Sequence, residues 1–151
     1  MFMRSDSIMG RCKENGMSAR PWISMDVNAR LQAITNCEFA RTAGMKVISI
    51  SKEEVKVEMD LDGKLNGFGT GHGGAVFSLA DQAFALACNQ GEHATVARSA
   101  SIKYLKPAQG KLIAVAREER EDERSSYCRV LVYCGTELVA EFEGIGHKLR
   151  K

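Results

Sequence analysis

Proline is scarce, with two in 151 residues, and that excludes collagen-like and proline-rich linker architectures. No apolar run approaches the roughly 20 residues of a membrane-spanning helix. The sequence also lacks any C-x-x-C pair. Its five cysteines, Cys12, Cys37, Cys88, Cys128 and Cys134, are odd in number and irregularly spaced, a poor frame for disulfides or for zinc. A reducing, cytoplasmic compartment is therefore expected, and no metal. An excess of one charge is missing too. Lys and Arg number 21 against 19 Asp and Glu, a formal net of +2, so neither nucleic acid nor an anionic membrane is an expected partner. No G-K-[ST] phosphate loop occurs, and no cofactor is expected.

What remains is ordinary for one globular domain: 44% hydrophobic and 26% charged residues in a chain long enough for a single core. Residues 1–22 have no helical or strand period. They read as a mobile leader, ahead of a single domain over 23–151. No apolar core follows Arg4, so the start does not read as a secretory signal. From Asp26, a capping residue, the apolar positions Val27, Leu31, Ile34 and Phe39 predict a helix ended by Gly44. MKVISI and EVKVEMDL then alternate as strands about a turn at Ser51-Lys52. The stretch DGKLNGFGTGHGG holds six glycines in 13 residues, which only a loop tolerates.

GGAVFSLADQAFALACNQG is the one long helical signal, apolar on nearly every side and closed by Asn89-Gln90-Gly91. Such a helix is expected to be covered all round by protein. Four strands follow, near 94–105, 111–120, 126–134 and 137–147, with the charged run Glu118–Arg124 as a solvated hairpin tip. Short turns make these strands antiparallel. The predicted class is α+β, one sheet curling around one buried helix.

Asp81 is the residue that does not fit. It is the only acidic or basic side chain between His72 and Glu92, on a stripe with Phe77, Phe84 and Cys88. A carboxylate there is costly unless it is partnered. Either it faces a solvent gap or a structural hydrogen bond, or it is a general base or nucleophile in a dry cleft. Gly71-His72-Gly73-Gly74 runs straight into the helix. Free N–H groups at that end suit an oxyanion, and the missing Cβ atoms at Gly73 and Gly74 let a bulky substrate approach. The bland alternative is that these glycines only shape the turn. Gly73 and Asp81, eight residues apart on a helix, are separated by about 12 Å. One acyl carbon cannot touch both within a chain. Two antiparallel copies of the helix about a two-fold axis remove the difficulty, so cooperation between them requires at least a dimer.

The run from His72 to Ala85, HGGAVFSLADQAFA, resembles the H-G-G-x-x-F-x-L-A-D-x-A-F-A signature of hotdog-fold acyl-CoA thioesterases, and most closely the PaaI branch, named for phenylacetate degradation. Ser101-Ile-Lys-Tyr-Leu-Lys-Pro107 and Phe142-x-Gly144-x-Gly-His147 resemble the strand after the helix and the final strand of that family. The likeness spans roughly 25–149. It implies a curved antiparallel sheet around the central helix, homodimers and often homotetramers as dimers of dimers. It also implies hydrolysis of an acyl-CoA, aryl or phenylacetyl-type in this branch, to free acid and CoA, which enters only as part of the substrate.

By matching position, Asp81 is the implied catalytic carboxylate. The Gly73 N–H polarises the carbonyl, and His72 lies beside the thioester. Asn66 and Ser99 match polar positions that assist or orient water, and Gly74 and Phe77 are expected at the substrate. Arg98, Lys103, Lys106 and Lys111 either meet the CoA phosphates or are scattered surface cations. Other candidates are weaker. Cys88 with His93 has no spacing that ensures contact, and Ser78 lacks a G-x-S-x-G elbow. A hydratase or dehydratase on the same scaffold, and a non-catalytic acyl-CoA-binding module, are the rival readings. Asp81 favours catalysis over the binding module.

Overall fold

A computed structural model describes residues 21–150. Of the expected leader only Pro21 and Trp22 fall within it, at the start of a 3-10 turn, Pro21–Ile23. Two short helices follow, α1 (Val27–Thr35) and α2 (Glu38–Ala43), where the apolar spacing predicts one. Asp26 caps α1, its side chain accepting from the Ala29 N–H at 2.9 Å. The break falls at Asn36, whose carboxamide turns back to the Gln32 carbonyl, and at Cys37, whose extended backbone restarts the helix. The new axis carries Phe39 out of the stripe, and it is 60% exposed. Gly44 ends α2 in the left-handed region at φ 71°, a conformation that glycine adopts at no steric cost.

The strands are β1 (Lys46–Ile50), β2 (Val55–Asp60), β3 (Thr95–Tyr104), β4 (Lys111–Glu121), β5 (Ser125–Cys134) and β6 (Glu137–Lys148), with α3 (Gly73–Cys88) between β2 and β3. They form one antiparallel sheet in the order β1-β2-β4-β5-β6-β3. This is the α+β hotdog arrangement. Along β4, β5 and β6 every second residue is buried against α3, among them Leu112, Ala114, Ala116, Val130, Val132, Ala140 and Phe142. From α3, Leu79, Ala83, Phe84 and Leu86 enter the same core. The Phe77 and Phe84 rings pack on Phe142 at centroid distances of 5.3 and 5.8 Å.

The glycines of the final strand have a steric task. A Cβ on Gly144 would lie 2.7 Å from two carbons of the Phe84 ring, and one on Gly146 would lie 2.4 Å from the Thr95 methyl. Both glycines let α3 and the start of β3 settle onto β6. Gly144→Ala is expected to destabilise the fold by about 1–3 kcal/mol through overpacking. Phe84→Leu in the same chain should recover part of that loss. Urea unfolding of the single and double variants checks both outcomes.

Arg30, in the middle of α1, is only 4% exposed. Its guanidinium donates to the Asn89 carbonyl at 3.0 and 3.2 Å and to the Gly91 carbonyl. It thereby meets the unpaired carbonyls at the negative end of α3. Burial lowers its pKa, against the raising effect of Asp26. The charged run Glu118–Arg124 is exposed throughout at the β4–β5 hairpin, as expected, and some of its side chains find partners on β5. Glu118 accepts from the buried Ser126 hydroxyl, and the Arg120 guanidinium lies 3.4 Å over the Tyr127 ring.

Candidate active site

α3 lies antiparallel alongside β3 and is tied to it at both ends. At the far end the Asn89 carboxamide exchanges two hydrogen bonds with the Thr95 backbone. At the near end the Tyr104 hydroxyl donates to the Gly73 carbonyl at 2.9 Å. Between these ties α3 is not covered all round within the protomer, contrary to the expectation from its composition. Gly74 is exposed, and Ser78, Asp81 and Ala85 are half-buried, so one stripe of the helix faces outward in the single protomer. Phe84 and Cys88, expected beside Asp81, belong to the buried side.

Asp81 sits in the middle of this stripe. Among the described residues no ion pair or hydrogen bond holds its carboxyl, and burial alone raises its pKa above the ordinary carboxylate value. A structural hydrogen bond therefore does not account for it. The half-open position fits both the solvent-gap and the catalytic reading.

The N-terminus of α3 is built around one free donor. His72 is the N-cap, and its Nδ1 accepts from the Gly74 N–H at 2.9 Å. A neutral imidazole in this arrangement carries its proton on Nε2. The His72 carbonyl accepts from the Ala75 and Val76 N–H groups at 2.9 and 3.1 Å. The Gly73 N–H, on the same peptide as that carbonyl, has no acceptor among the described residues. Gly73 itself lines a cleft of about 300 Å³, together with Asn66, Gly71, Val76, Tyr104, Lys106 and Ala108, among others.

The other expected site residues are distributed differently. Asn66 borders the Gly73 cleft, but its carboxamide is occupied by its own loop. Oδ1 accepts from the Phe68 and Thr70 N–H groups, and Nδ2 donates to the Thr70 hydroxyl. Ser99, on β3, lines a separate cleft of about 370 Å³ with Tyr127, Glu143 and Ile145. Asp81 lines neither cleft. Arg98 is the extra residue of a bulge, since Ala97 pairs with Gly146 and Ser99 with Ile145. Lys103 is exposed opposite Glu141. Lys106 pairs with Glu137 at 2.5 Å and Lys111 with Glu58 at 3.4 Å. Two of the four cations thus already have carboxylate partners.

Rival nucleophiles are engaged elsewhere. The Ser78 hydroxyl donates to the Gly74 carbonyl at 2.7 Å. The Cys88 thiol donates to the Ala85 carbonyl and burial pushes its pKa up, while burial raises that of Cys128 to about 12. Both remain thiols at neutral pH and are poor nucleophiles. Two residues that the sequence does not single out matter here. Tyr104 is one. The other is Gln82, beside Asp81, which donates to the Ile34 carbonyl at 2.7 Å and holds α1 on α3.

A family model described as a domain of unknown function (DUF4442) matches residues 30–138. The acyl-coenzyme A thioesterase PaaI of Escherichia coli (strain K12) is 35% identical over 114 residues, covering 73% of this chain and 81% of that protein. The solved structure of the E. coli PaaI protein, from the phenylacetic acid degradation operon, superposes with a TM-score of 0.74 at 30% identity, over 82% of this chain and 94% of that one. A mutant of the phenylacetic acid degradation protein PaaI from Thermus thermophilus gives 0.70 at 34% identity, over 74% and 98%.

Proposed function

The chain belongs to the PaaI-like thioesterases of the hotdog fold, a family of thioester hydrolases; on that premise we propose that it hydrolyses an acyl-CoA to the free acid and CoA, at sites shared between two protomers. The observation that carries the proposal is the unpartnered, half-buried carboxyl of Asp81 on an uncovered helix stripe that begins at the free Gly73 N–H.

The sheet edge supports a dimer. β3 pairs on one side only, with β6, and residues 96–101 are exposed. A ten-residue open edge is a template for a second strand. Pairing two β3 edges about a two-fold axis sets two α3 helices antiparallel. It carries the Gly73 N–H of one protomer toward Asp81 of its partner. The sheet face opposite α3 holds the half-buried Ile113, Val115, Leu131, Tyr133 and Ile145. That apolar face supports a dimer of dimers.

In such a site the Gly73 N–H, aided by the helix dipole, receives the carbonyl oxygen as it becomes negative. Asp81 either takes a proton from the attacking water or adds to the carbonyl itself. Each route expels CoA as its thiolate, a good leaving group. Hydroxylamine trapping of an acyl-Asp81 anhydride distinguishes them. His72, its Nδ1 held by the cap, presents Nε2 beside the thioester, and Asn66 shapes the loop that walls the cleft. Arg98 and Lys103, which have no ion-pair partner among the described residues, suit the CoA phosphates better than Lys106. The free thiols Cys37, Cys88, Cys128 and Cys134 fit a cytoplasmic enzyme. Among the described residues no helix is long and apolar enough to cross a membrane.

Thiol release from a panel of acyl-CoAs, aryl and phenylacetyl types beside straight chains, tests the reaction. Turnover with a preference for aryl groups is expected. Binding without turnover would favour a non-catalytic module, and hydration of an enoyl-CoA without thiol release a hydratase.

A further inference from the structure

We propose that Tyr104 is a positioning residue for hydrolysis, clamping the peptide that follows the Gly73 oxyanion donor. This rests on the acyl-CoA thioesterase reading above. The Gly73–Gly74 peptide is held from both sides. Its carbonyl accepts from the Tyr104 hydroxyl at 2.9 Å, and its N–H donates to His72 Nδ1 at 2.9 Å. The preceding peptide, which bears the Gly73 N–H, is fixed at its carbonyl by Ala75 and Val76. The donor thus belongs to one immobilised peptide and adjoins a second. Helix termini fray, and a first-turn peptide without such ties is free to librate.

Tyr104 acts through contact as well as through its hydroxyl. A Cβ built on Gly73 would lie 3.3 Å from the Tyr104 ring and hydroxyl, so the ring lies directly against that glycine. The ring is itself placed by the end of β3. Tyr104 pairs with Ala140, and the next N–H, of Leu105, donates to the Val139 carbonyl at 2.8 Å. Yet the side chain is 54% exposed, on the wall of the Gly73 cleft. A large aromatic is left this open without contributing to the core, so its hydroxyl contact with the helix terminus is the feature to explain. An oxyanion donor works only if it points at the oxygen before charge develops, because reorientation during the reaction forfeits the gain.

The test is Tyr104→Phe, which keeps the ring and removes the hydroxyl. It is expected to lower kcat for acyl-CoA hydrolysis by roughly 5- to 20-fold, the loss of one aligned hydrogen bond, with KM within twofold and an unchanged melting temperature. A spectroscopic readout separates positioning from simple stability. In the slow Asp81→Asn background, Raman difference spectra of a bound acyl-CoA labelled with ¹³C at the thioester carbonyl should show a lowered carbonyl stretch. Adding Tyr104→Phe should shift that band part of the way back toward its solution frequency. If Tyr104→Phe matches the wild type in kcat, or leaves the band unmoved, Tyr104 has no positioning role while the thioesterase reading stands. If the wild type releases no thiol from any acyl-CoA, that reading falls and the inference falls with it.

Discussion

Asp81→Asn is expected to lose between about 10²- and 10⁴-fold in kcat for acyl-CoA hydrolysis, the range for removing a positioned base or nucleophile, while folding at least as well as the wild type. The second half follows from the same structure as the first. The carboxyl is half-buried with no basic partner, and burial raises its pKa. A raised folded-state value means that the group favours folding only while protonated. That contribution is complete below the ordinary carboxylate value near 4, and is lost as pH rises through the raised one. At neutral pH the wild type therefore carries the full cost of the buried charge, and the amide does not. Thermal unfolding at pH 7.5 should show Asp81→Asn melting above the wild type, with the gap closing toward pH 4. The kcat–pH profile of the wild type should have an acid limb above the ordinary carboxylate range. A loss of less than tenfold, or a variant that melts well below the wild type at neutral pH, would make Asp81 a structural residue.

This combination, activity lost and stability gained, separates a functional carboxylate from a structural one. Asn66 shows the contrast. Its carboxamide closes three hydrogen bonds within its own loop, so replacing it loosens the wall of the cleft whether or not it also orients water. Asp81 lies within the family signature and Asn66 in the loop before it, and their partners in the structure differ as well.

The strands of the sheet and the span of α3 were legible because their signals are local. Alternation over 111–120 and 137–147 falls on β4 and β6 to within one residue. Sheet order is not local. β3 follows α3 in the chain but lies at the edge, beside β6, and the alternation of its sequence does not reveal that. The bare stripe of α3 escaped for a related reason. Gly74, Ser78, Asp81 and Ala85 are mostly small, and a count of apolar residues makes no distinction between a small residue under a neighbour and one beside open space. Arg30 looks like a solvated helix charge. It is buried because carbonyls about 60 residues away need a donor. Tyr104 reaches Gly73 across 31 residues. Single-chain periodicity carries no trace of either contact. The F-x-G-x-G-H run was legible as a resemblance, and its physical reason, room for Phe84 and Thr95, needed the packing.

Gly73→Pro should abolish most activity, about 10²- to 10³-fold in kcat, the loss of one oxyanion donor, and it should do so without breaking α3. Gly73 is the first helical residue, where proline's missing N–H leaves no helical bond unmade. The preceding His72 has ψ 133°, the extended conformation that a following proline requires. The added Cβ meets Tyr104 at 3.3 Å, so the ring must give by a few tenths of an ångström. Circular dichroism should match the wild type. This variant also tests whether the site is shared. If the Gly73 N–H of one protomer serves Asp81 of the other, a heterodimer of Gly73→Pro and Asp81→Asn has one site with both groups intact and one with neither. Random co-assembly makes half the dimers heterodimers, so co-refolding the two inactive variants in equal amounts should restore about a quarter of the wild-type rate. Activity should peak at the equal ratio. A site built within one chain gains nothing from mixing. A flat response across all ratios, with heterodimers confirmed by differential tagging, would place donor and carboxylate in the same protomer, against the separation of about 12 Å that eight helical residues impose.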